Sequence, residues 1–354
     1  VRIATGTVFE EYGGVSKHIF NIREFSSHQV SILPSKLMRI FLSRFRWMKP
    51  YYKRIINKPW LSRYDILHSH ADPWFERTCH ASRSESCKWV HTFHSLFFAE
   101  DYANGLVGWQ IEENQALIEL CAQADLRITV SAWLQELLQK NYGISTYVVE
   151  NGVDPAIFEK ADADRFVQQY QMDNFILYVG GIREVKNPLF FKNLAEQMPD
   201  HQFVMIGEKL DEESFRLTYQ TDIPRNLRLL GSVGHADVLD AMAACNVYVL
   251  TSKREATPIT LLEAMALCKP VVAPDHTGPK DVIAKSDAGL LYQPDSRDDA
   301  VKRIKQALSS KIIGQVARER IEQKYSISKQ IKILDDLYTQ LNNKTITLLS
   351  KLVF

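Results

Sequence analysis

The chain has 354 residues, of which 45% are hydrophobic and 24% charged, and a formal net charge of +1. That length exceeds one ordinary core and suits two α/β domains, and the near-neutral charge gives no basis for nucleic-acid binding. Five cysteines, Cys79, Cys87, Cys121, Cys245 and Cys268, form no Cys-x-x-Cys pair and leave one odd, which argues for reduced thiols in the cytoplasm rather than a disulfide framework or a zinc site; no apolar run reaches the roughly 20 residues that span a bilayer.

Along the first half, strand and helix patterns alternate. Strands are expected at 2–8, 29–33, 64–69, 88–93, 126–130 and 146–150, and helices at 14–25, 36–49, 74–84, 107–124 and 131–141. Gly13 and Gly14 follow the first strand and lead to His18, which is read as helix packing. The stretch 36–63 carries nine Lys and Arg with no Asp or Glu between Glu24 and Asp65. Lys36, Arg39, Ser43 and Arg46 share one helical face, with Phe41, Phe45 and Trp47 interleaved. Such a basic amphipathic stretch fits an anionic membrane surface, a clamp for an anionic acceptor, or a solvated core helix. The strand Trp89-Val90-His91-Thr92-Phe93 runs into His94, and polar residues at the end of a parallel strand line a crevice.

The turn-rich segment Asn151-Gly152-Val153-Asp154-Pro155 marks a join. Asp162-Ala163-Asp164 has the form of a metal-binding Asp-x-Asp but precedes a helical pattern, so it reads as a helix cap. The second half repeats the alternation. Strands are expected at 175–180, 202–206, 227–230, 247–251, 270–274 and 289–292, and helices at 188–198, 235–244, 258–267, 297–309, 311–324 and 328–342. This is the pattern of parallel sheets with helices on both faces. Arg183 and Lys186 stand just before Asn187-Pro188, which look like a helix cap and first turn. Two cations there oppose the helix dipole unless an anion lies between them, and a diphosphate is such an anion.

The most informative stretch is 252–274. Glu255 and Glu263 are separated by seven residues, with Thr257-Pro258 between them as expected helix cap and first helical residue. Glu255 then sits in a loop and Glu263 in the helix, between the apolar runs Val247–Leu250 and Val271–Ala273. Loop amides there can receive phosphate oxygens, and a carboxylate can accept two hydroxyls at once.

This stretch resembles the E-x7-E signature of retaining GT-B glycosyltransferases, in particular glycosyltransferase family 4. It matches the carboxylates, the Pro, Leu262-Glu263-Ala264-Met265-Ala266 and Pro270-Val271-Val272-Ala273, and departs at Ala256 and Cys268, where the pattern has Gly. The resemblance implies two Rossmann-like domains of doubly wound parallel sheet facing a central cleft. Residues 1–152 would form an acceptor-side domain and 153–325 a nucleotide-sugar donor domain, with 326–354 crossing back to the first. Glu255 then contacts the donor sugar and Glu263 the ribose. Arg183 and Lys186 bind the donor phosphates, although their spacing is shorter than usual. Gly13, Gly14, Val233, Ala256, Thr257, Pro258 and Ile259 complete the donor site. His94 corresponds to the His of the family's Thr-Phe-His motif, as in phosphatidylinositol mannosyltransferases.

The implied activity is metal-independent transfer of a hexosyl unit from a nucleotide diphosphate sugar to a hydroxyl of a lipid-linked or polysaccharide acceptor. No cofactor is expected. The setting is cytoplasmic, with residues 36–63 on the inner face of the plasma membrane as a further expectation. The rival readings are a sugar-nucleotide 2-epimerase and a catalytically silent partner-binding subunit.

Overall fold

The structure is a computed structural model that describes residues 1–6, 13–33, 44, 47, 61–284, 287–310 and 312–343. It divides into two compact units: Val1–Phe97, Leu106–Asn151 and Ile327–Phe354 form the first, and Phe98–Gly105 with Gly152–Ser326 the second. The division departs from the expected one at residues 98–105, which lie within the first-half span yet pack with the second unit.

The first unit holds β1 (Arg2–Gly6), α1 (Gly14–Phe25), β2 (Gln29–Leu33), β3 (Ile66–Ser69), α2 (Pro73–Ser82), β4 (Lys88–Phe93), α3 (Gly108–Gln115), β5 (Leu126–Thr129), α4 (Ala132–Tyr142) and β6 (Tyr147–Val148). Its six strands are parallel, in the order β2-β1-β3-β4-β5-β6. The chain reverses its direction of growth between β1 and β3, so the crevice beyond their C-terminal ends is a switch point where such sheets bind ligands. The expected helix 36–49 lies outside the described residues except for Arg44 and Trp47, as do residues 7 and 8 of the first strand. The expected helix 107–124 is three pieces: α3, a π segment Ala116–Leu120 and a 3₁₀ turn Cys121–Gln123.

The second unit contains α5 (Ile157–Lys160), α6 (Ala163–Tyr170), β7 (Phe175–Val179), α7 (Pro188–Gln197), β8 (Gln202–Ile206), α8 (Glu212–Tyr219), β9 (Leu227–Leu229), α9 (His235–Ala244), β10 (Val247–Val249), α10 (Ile259–Ala266), β11 (Val271–Pro274), α11 (Thr277–Ile283), β12 (Leu290–Tyr292), α12 (Arg297–Ser309) and α13 (Ile313–Lys324). The sheet order β12-β11-β10-β7-β8-β9 is again all parallel. Phe175-Ile176-Leu177-Tyr178 of β7 are all buried, as a strand covered on both faces must be. The switch point falls between β7 and β10. Asp162 caps α6, accepting from Arg165 N at 3.1 Å.

The last helix, α14 (Ile327–Asn342), belongs to the first unit. Ile327, Ile331, Leu334, Leu337, Tyr338 and Leu341 form one stripe at helical spacing. That stripe packs with Ile3, Ile22, Ile66, Val90 and Ile128. Burying such a stripe is worth on the order of 10 kcal/mol before ordering entropy, so the helix is integral to this core.

Candidate functional site

In the second unit, the loops leaving β7 and β10 are stitched together. Lys253 N donates to the Val185 carbonyl at 2.8 Å, and Thr251 Oγ1 donates to the carbonyls of Lys186 and Asn187 at 3.2 and 3.0 Å. This brings Lys186 to Glu255. Lys186 Nζ lies 2.5 Å from Glu255 Oε1, which also accepts from Ser252 Oγ at 2.8 Å. Glu255 Oε2 has no hydrogen-bond partner among the described residues. Arg183 is exposed at the head of the 3₁₀ turn Glu184–Lys186 and has no acidic partner among the described residues. Asn187 occupies the cap position of α7 in the left-handed region (φ 52°) but makes no side-chain cap bond; Pro188 opens the helix.

Pro258, not Thr257, occupies the cap position of α10, which therefore starts at Ile259. Pro offers no side-chain acceptor, so the first-turn amides of α10 have no side-chain cap and no acidic neighbour. Such an N-terminus is receptive to an anion. Ala256, Thr257 and Pro258 are buried and Ile259 is half-buried. Glu263, one turn on, is 4% exposed, and its Oε1 lies 2.8 Å from Nε2 of His235 at the start of α9. Sequence reasoning does not single out His235; its only signal is its place after Gly231-Ser232-Val233-Gly234. Val233 is partly buried against the unit's core.

Two substitutions away from the family pattern have different consequences. Ala256 keeps φ out of the positive range, so Ala stands there unstrained, whereas Cys268 has φ 58°. A side chain in that region costs on the order of 1 kcal/mol. Glycine is required at two contacts: a Cβ on Gly278 would lie 1.4 Å from the Ala256 carbonyl oxygen, and one on Gly207 (φ 149°) 1.5 Å from that of Gly180. The strand-end loops of this unit thus meet backbone to backbone.

A brace unseen in the sequence comes from residues 98–105. Arg254 Nε donates to Asp101 Oδ2 at 2.8 Å, Nη2 to Glu100 Oε1 at 2.9 Å, and the guanidinium lies 4.0 Å from the Phe98 ring centre. Lys253 Nζ donates to the Asp101 carbonyl at 3.2 Å. Asp101 is buried, so Lys253 and Arg254, the two residues before Glu255, are held by residues 98–105, Arg254 through charge-assisted bonds.

In the first unit, the strand ends gather histidines. His94 Nε2 and His70 Nδ1 are 3.0 Å apart. His18 lies edge-on to both, with ring centres 4.9 and 5.3 Å away. Its Nδ1 is 2.9 Å from Asn151 Oδ1 and 3.0 Å from Gln330 Nε2. His18 is therefore buried on α1 as expected of a packing residue, but among polar groups. His68 bridges Tyr338 OH and Thr92 Oγ1 at 2.7 and 2.8 Å. His91 faces the other side of β4, its Nδ1 2.8 Å from Ser69 Oγ. Gly13 (φ 140°) and Gly14 open α1. Sequence reasoning misses His70 because nothing in Leu67-His68-Ser69-His70 distinguishes a strand-end ligand from a core histidine. Among the described residues, two groups bring three metal-type donors within 4.8 Å of one another: His18, His70 and His94, and Glu76, His91 and Cys121.

Burial lowers His18 to about 4 despite its bond to Asn151. His68, His70 and His94 are held well below the ordinary value, by burial first and by neighbouring histidines second. In the unfolded chain each titrates near 6.5. Between about pH 6.5 and 4 the unfolded state therefore binds more protons, and stability falls as pH falls. Glu76, raised to about 8 by burial, acts in the opposite sense with a single proton. The thermal midpoint is expected to drop progressively below pH 6.5, where the histidines outweigh the one carboxyl, and to fall slightly as pH rises from 7 through 8, where Glu76 ionises in the fold. A midpoint unchanged down to pH 5 would show that these rings are not buried neutral.

Comparison with known proteins adds to this geometry. The family model described as Glycosyltransferase Family 4 matches residues 12–157, and that of Glycosyl transferases group 1 matches residues 158–326. The phosphatidyl-myo-inositol mannosyltransferase of Mycolicibacterium smegmatis is 26% identical over 320 residues, covering 82% of this chain and 80% of that enzyme. The UDP-Gal:alpha-D-GlcNAc-diphosphoundecaprenol alpha-1,3-galactosyltransferase of Escherichia coli is 27% identical over 206 residues, 54% of this chain and only about half (53%) of that enzyme. The crystal structure of Anabaena HepE with UDP-glucose superposes with a TM-score of 0.77 at 16% identity, over 96% of this chain and 99% of that one. Sucrose-phosphate synthase from Thermosynechococcus elongatus gives 0.73 at 17% identity, over 97% and 99%. With two family models meeting end to end from residue 12 to residue 326 and two all-parallel six-stranded sheets, the chain belongs to the group 1, family 4 glycosyltransferases and has the GT-B fold.

Proposed function

We propose that this chain is a retaining hexosyltransferase that moves a sugar from a nucleoside diphosphate donor to a hydroxyl of a lipid-linked or polysaccharide acceptor. The observation that carries the reading is the Lys186–Glu255 contact between the loops leaving β7 and β10, the strands that flank the switch point, with Arg183 in the first loop and the uncapped start of α10, the helix of Glu263, after the second. A diphosphate suits the cations and the free amides, and a ribose suits Glu263. The names of the relatives support both halves of the reaction, since they include a UDP-sugar donor and lipid-linked acceptors.

In this reading, the donor's diphosphate draws Lys186 from Glu255 and pairs with it and with Arg183. Glu255, still held by Ser252, then receives sugar hydroxyls. As the anomeric carbon–oxygen bond to phosphate breaks, the cations take up the charge on the leaving oxygen. The acceptor hydroxyl attacks on the same face and gives its proton to that oxygen, so configuration is retained. Positioning and charge stabilisation do the work, with His94 at the donor sugar or acceptor hydroxyl.

No divalent ion is needed at the diphosphate, so transfer is expected to persist in excess EDTA. A panel of nucleoside diphosphate sugars, scored for thermal shift, donor hydrolysis and the anomeric configuration of product, tests the reading. Transfer that stops in EDTA, or an inverted product, would overturn it. Neither binding nor hydrolysis of any donor would leave a silent subunit, and an epimerised donor an epimerase.

The basic stretch 36–63 lies outside the described residues except for Arg44, Trp47 and residues 61–63. No described helix is long and apolar enough to cross a membrane. We assign the stretch to docking on anionic lipid at the cytoplasmic face, each cation contributing about 1 kcal/mol. Co-sedimentation with anionic vesicles at low salt, lost at high salt, is the expected result; no binding at low salt would sink it.

A further inference from the structure

Glu76, His91 and Cys121 come from three separate elements, α2, β4 and the 3₁₀ turn after the π segment, and all three are fully buried. Among the described residues, neither Glu76 carboxyl oxygen has a normal hydrogen-bond partner, with only the Cys121 thiol, a weak donor, beside it as a side-chain donor, and His91 Nε2 has no partner. A buried carboxylate and a buried ring nitrogen ordinarily find partners. Here they converge on each other, with donor atoms within 4.8 Å.

We propose that Glu76, His91 and Cys121 form a buried structural site for a divalent d-block cation, with Zn²⁺ the best fit. Thiolate, imidazole and carboxylate together suit zinc and disfavour Mg²⁺ and Ca²⁺. One carboxylate and one thiolate balance the double charge, so the filled site is neutral in a place where net charge is costly. Ligands around a tetrahedral zinc stand about 3.3–3.7 Å apart, a contraction that side-chain rotation supplies. The second Glu76 oxygen or a water takes the fourth position.

The surroundings are those of a ligand histidine. Ser69 Oγ accepts from Trp89 Nε1 at 2.8 Å and lies 2.8 Å from His91 Nδ1, with a lone pair left to accept from it. With Nδ1–H as the donor of that pair, Nε2 is left unprotonated for the ion, the usual outer-shell device for a metal-bound imidazole. The π segment Ala116–Leu120 ends immediately before Cys121. One extra residue in a turn rotates the downstream side chains by about 100°, and such segments are frequent at functional sites. The ion would staple α2 and the end of the 108–123 helix to the central strand β4. Its three residues belong to the first unit and the cations proposed at the diphosphate to the second, so EDTA-resistant transfer by the folded enzyme is compatible with it.

The test is the metal content of the full chain, purified from zinc-supplemented cells and passed over a chelating resin; about one Zn²⁺ per chain is expected. Protein produced in cobalt medium is expected to show a thiolate-to-cobalt charge-transfer band. His91→Ala and Cys121→Ala should lose the metal, and Cys121→Ser the band. His18→Ala, which cuts the other donor group, should keep both. If the variants fail to fold, the wild-type zinc content and cobalt band decide alone. Less than about a tenth of an ion per chain with no band would overturn the site, as would metal lost from His18→Ala but kept in His91→Ala and Cys121→Ala.

Discussion

Replacing Glu255 with Ala is expected to lower turnover by roughly 10²–10³-fold, the range for losing one preorganised polar contact at a reacting centre. Binding of the free nucleoside diphosphate should stay within a few fold. The reason is geometric. Glu255 meets Lys186 and Ser252 in the strand-end loops, and its loss releases Lys186 to the phosphates rather than removing it. Glu263→Ala should behave differently: its carboxylate is buried beside His235 at the start of α9, where a ribose would lie. Loss of a charge-assisted pair of hydroxyl contacts weakens nucleotide binding by roughly 10–100-fold, and transfer falls with it. Titration calorimetry with the diphosphate, alongside steady-state rates, separates the two. Equal loss of binding in both variants would contradict the division of roles.

Gly278→Ala is the second large effect. The added carbon would stand 1.4 Å from the Ala256 carbonyl oxygen and 2.9 Å from that of Glu255. These are backbone atoms that cannot swing aside, and Gly278 N also holds the Glu255 carbonyl at 2.9 Å. The loop must shift by about 1 Å or more, which costs about 10²-fold in rate when it misplaces a reacting group. The fold should survive with a lower midpoint, since overpacking costs about 1–3 kcal/mol. Gly108→Ala, at a glycine with nothing within 4 Å, is the control and should leave the rate unchanged. Full activity in Gly278→Ala would mean that the position of Glu255 is not critical.

Burial decides how much of the fold is legible in the sequence. Strands such as Phe175–Val179 are continuous apolar runs because helices cover both faces, and the expected strands fall within a few residues of those observed. Helices with little buried surface leave no stripe. Ala163–Tyr170 and Glu212–Tyr219 each bury one residue, Phe166 and Phe215, and Ile157–Lys160 buries Ile157 alone. Thr277–Ile283 begins Thr-Gly-Pro, which reads as a turn. The stretch around Glu255 and Glu263 is legible because its residues are neighbours in sequence. Their partners are not: His235 is 28 residues from Glu263, and Asp101 is 153 from Arg254. The grouping of His18, His70 and His94 likewise exists only once three strand-end segments are folded side by side.

The brace from residues 98–105 bears on how enzymes of this kind can be recombined. A hybrid cut once near residue 152 would inherit its Glu255 loop from one parent and the acids that grip Arg254 from the other. Mismatch at that point would present as poor activity in a well-folded protein and be blamed on the wrong half. Gene shuffling should therefore treat Phe98–Gly105 as cargo of the second unit, exchanging it together with residues 152–326 through two junctions more than the linear order suggests.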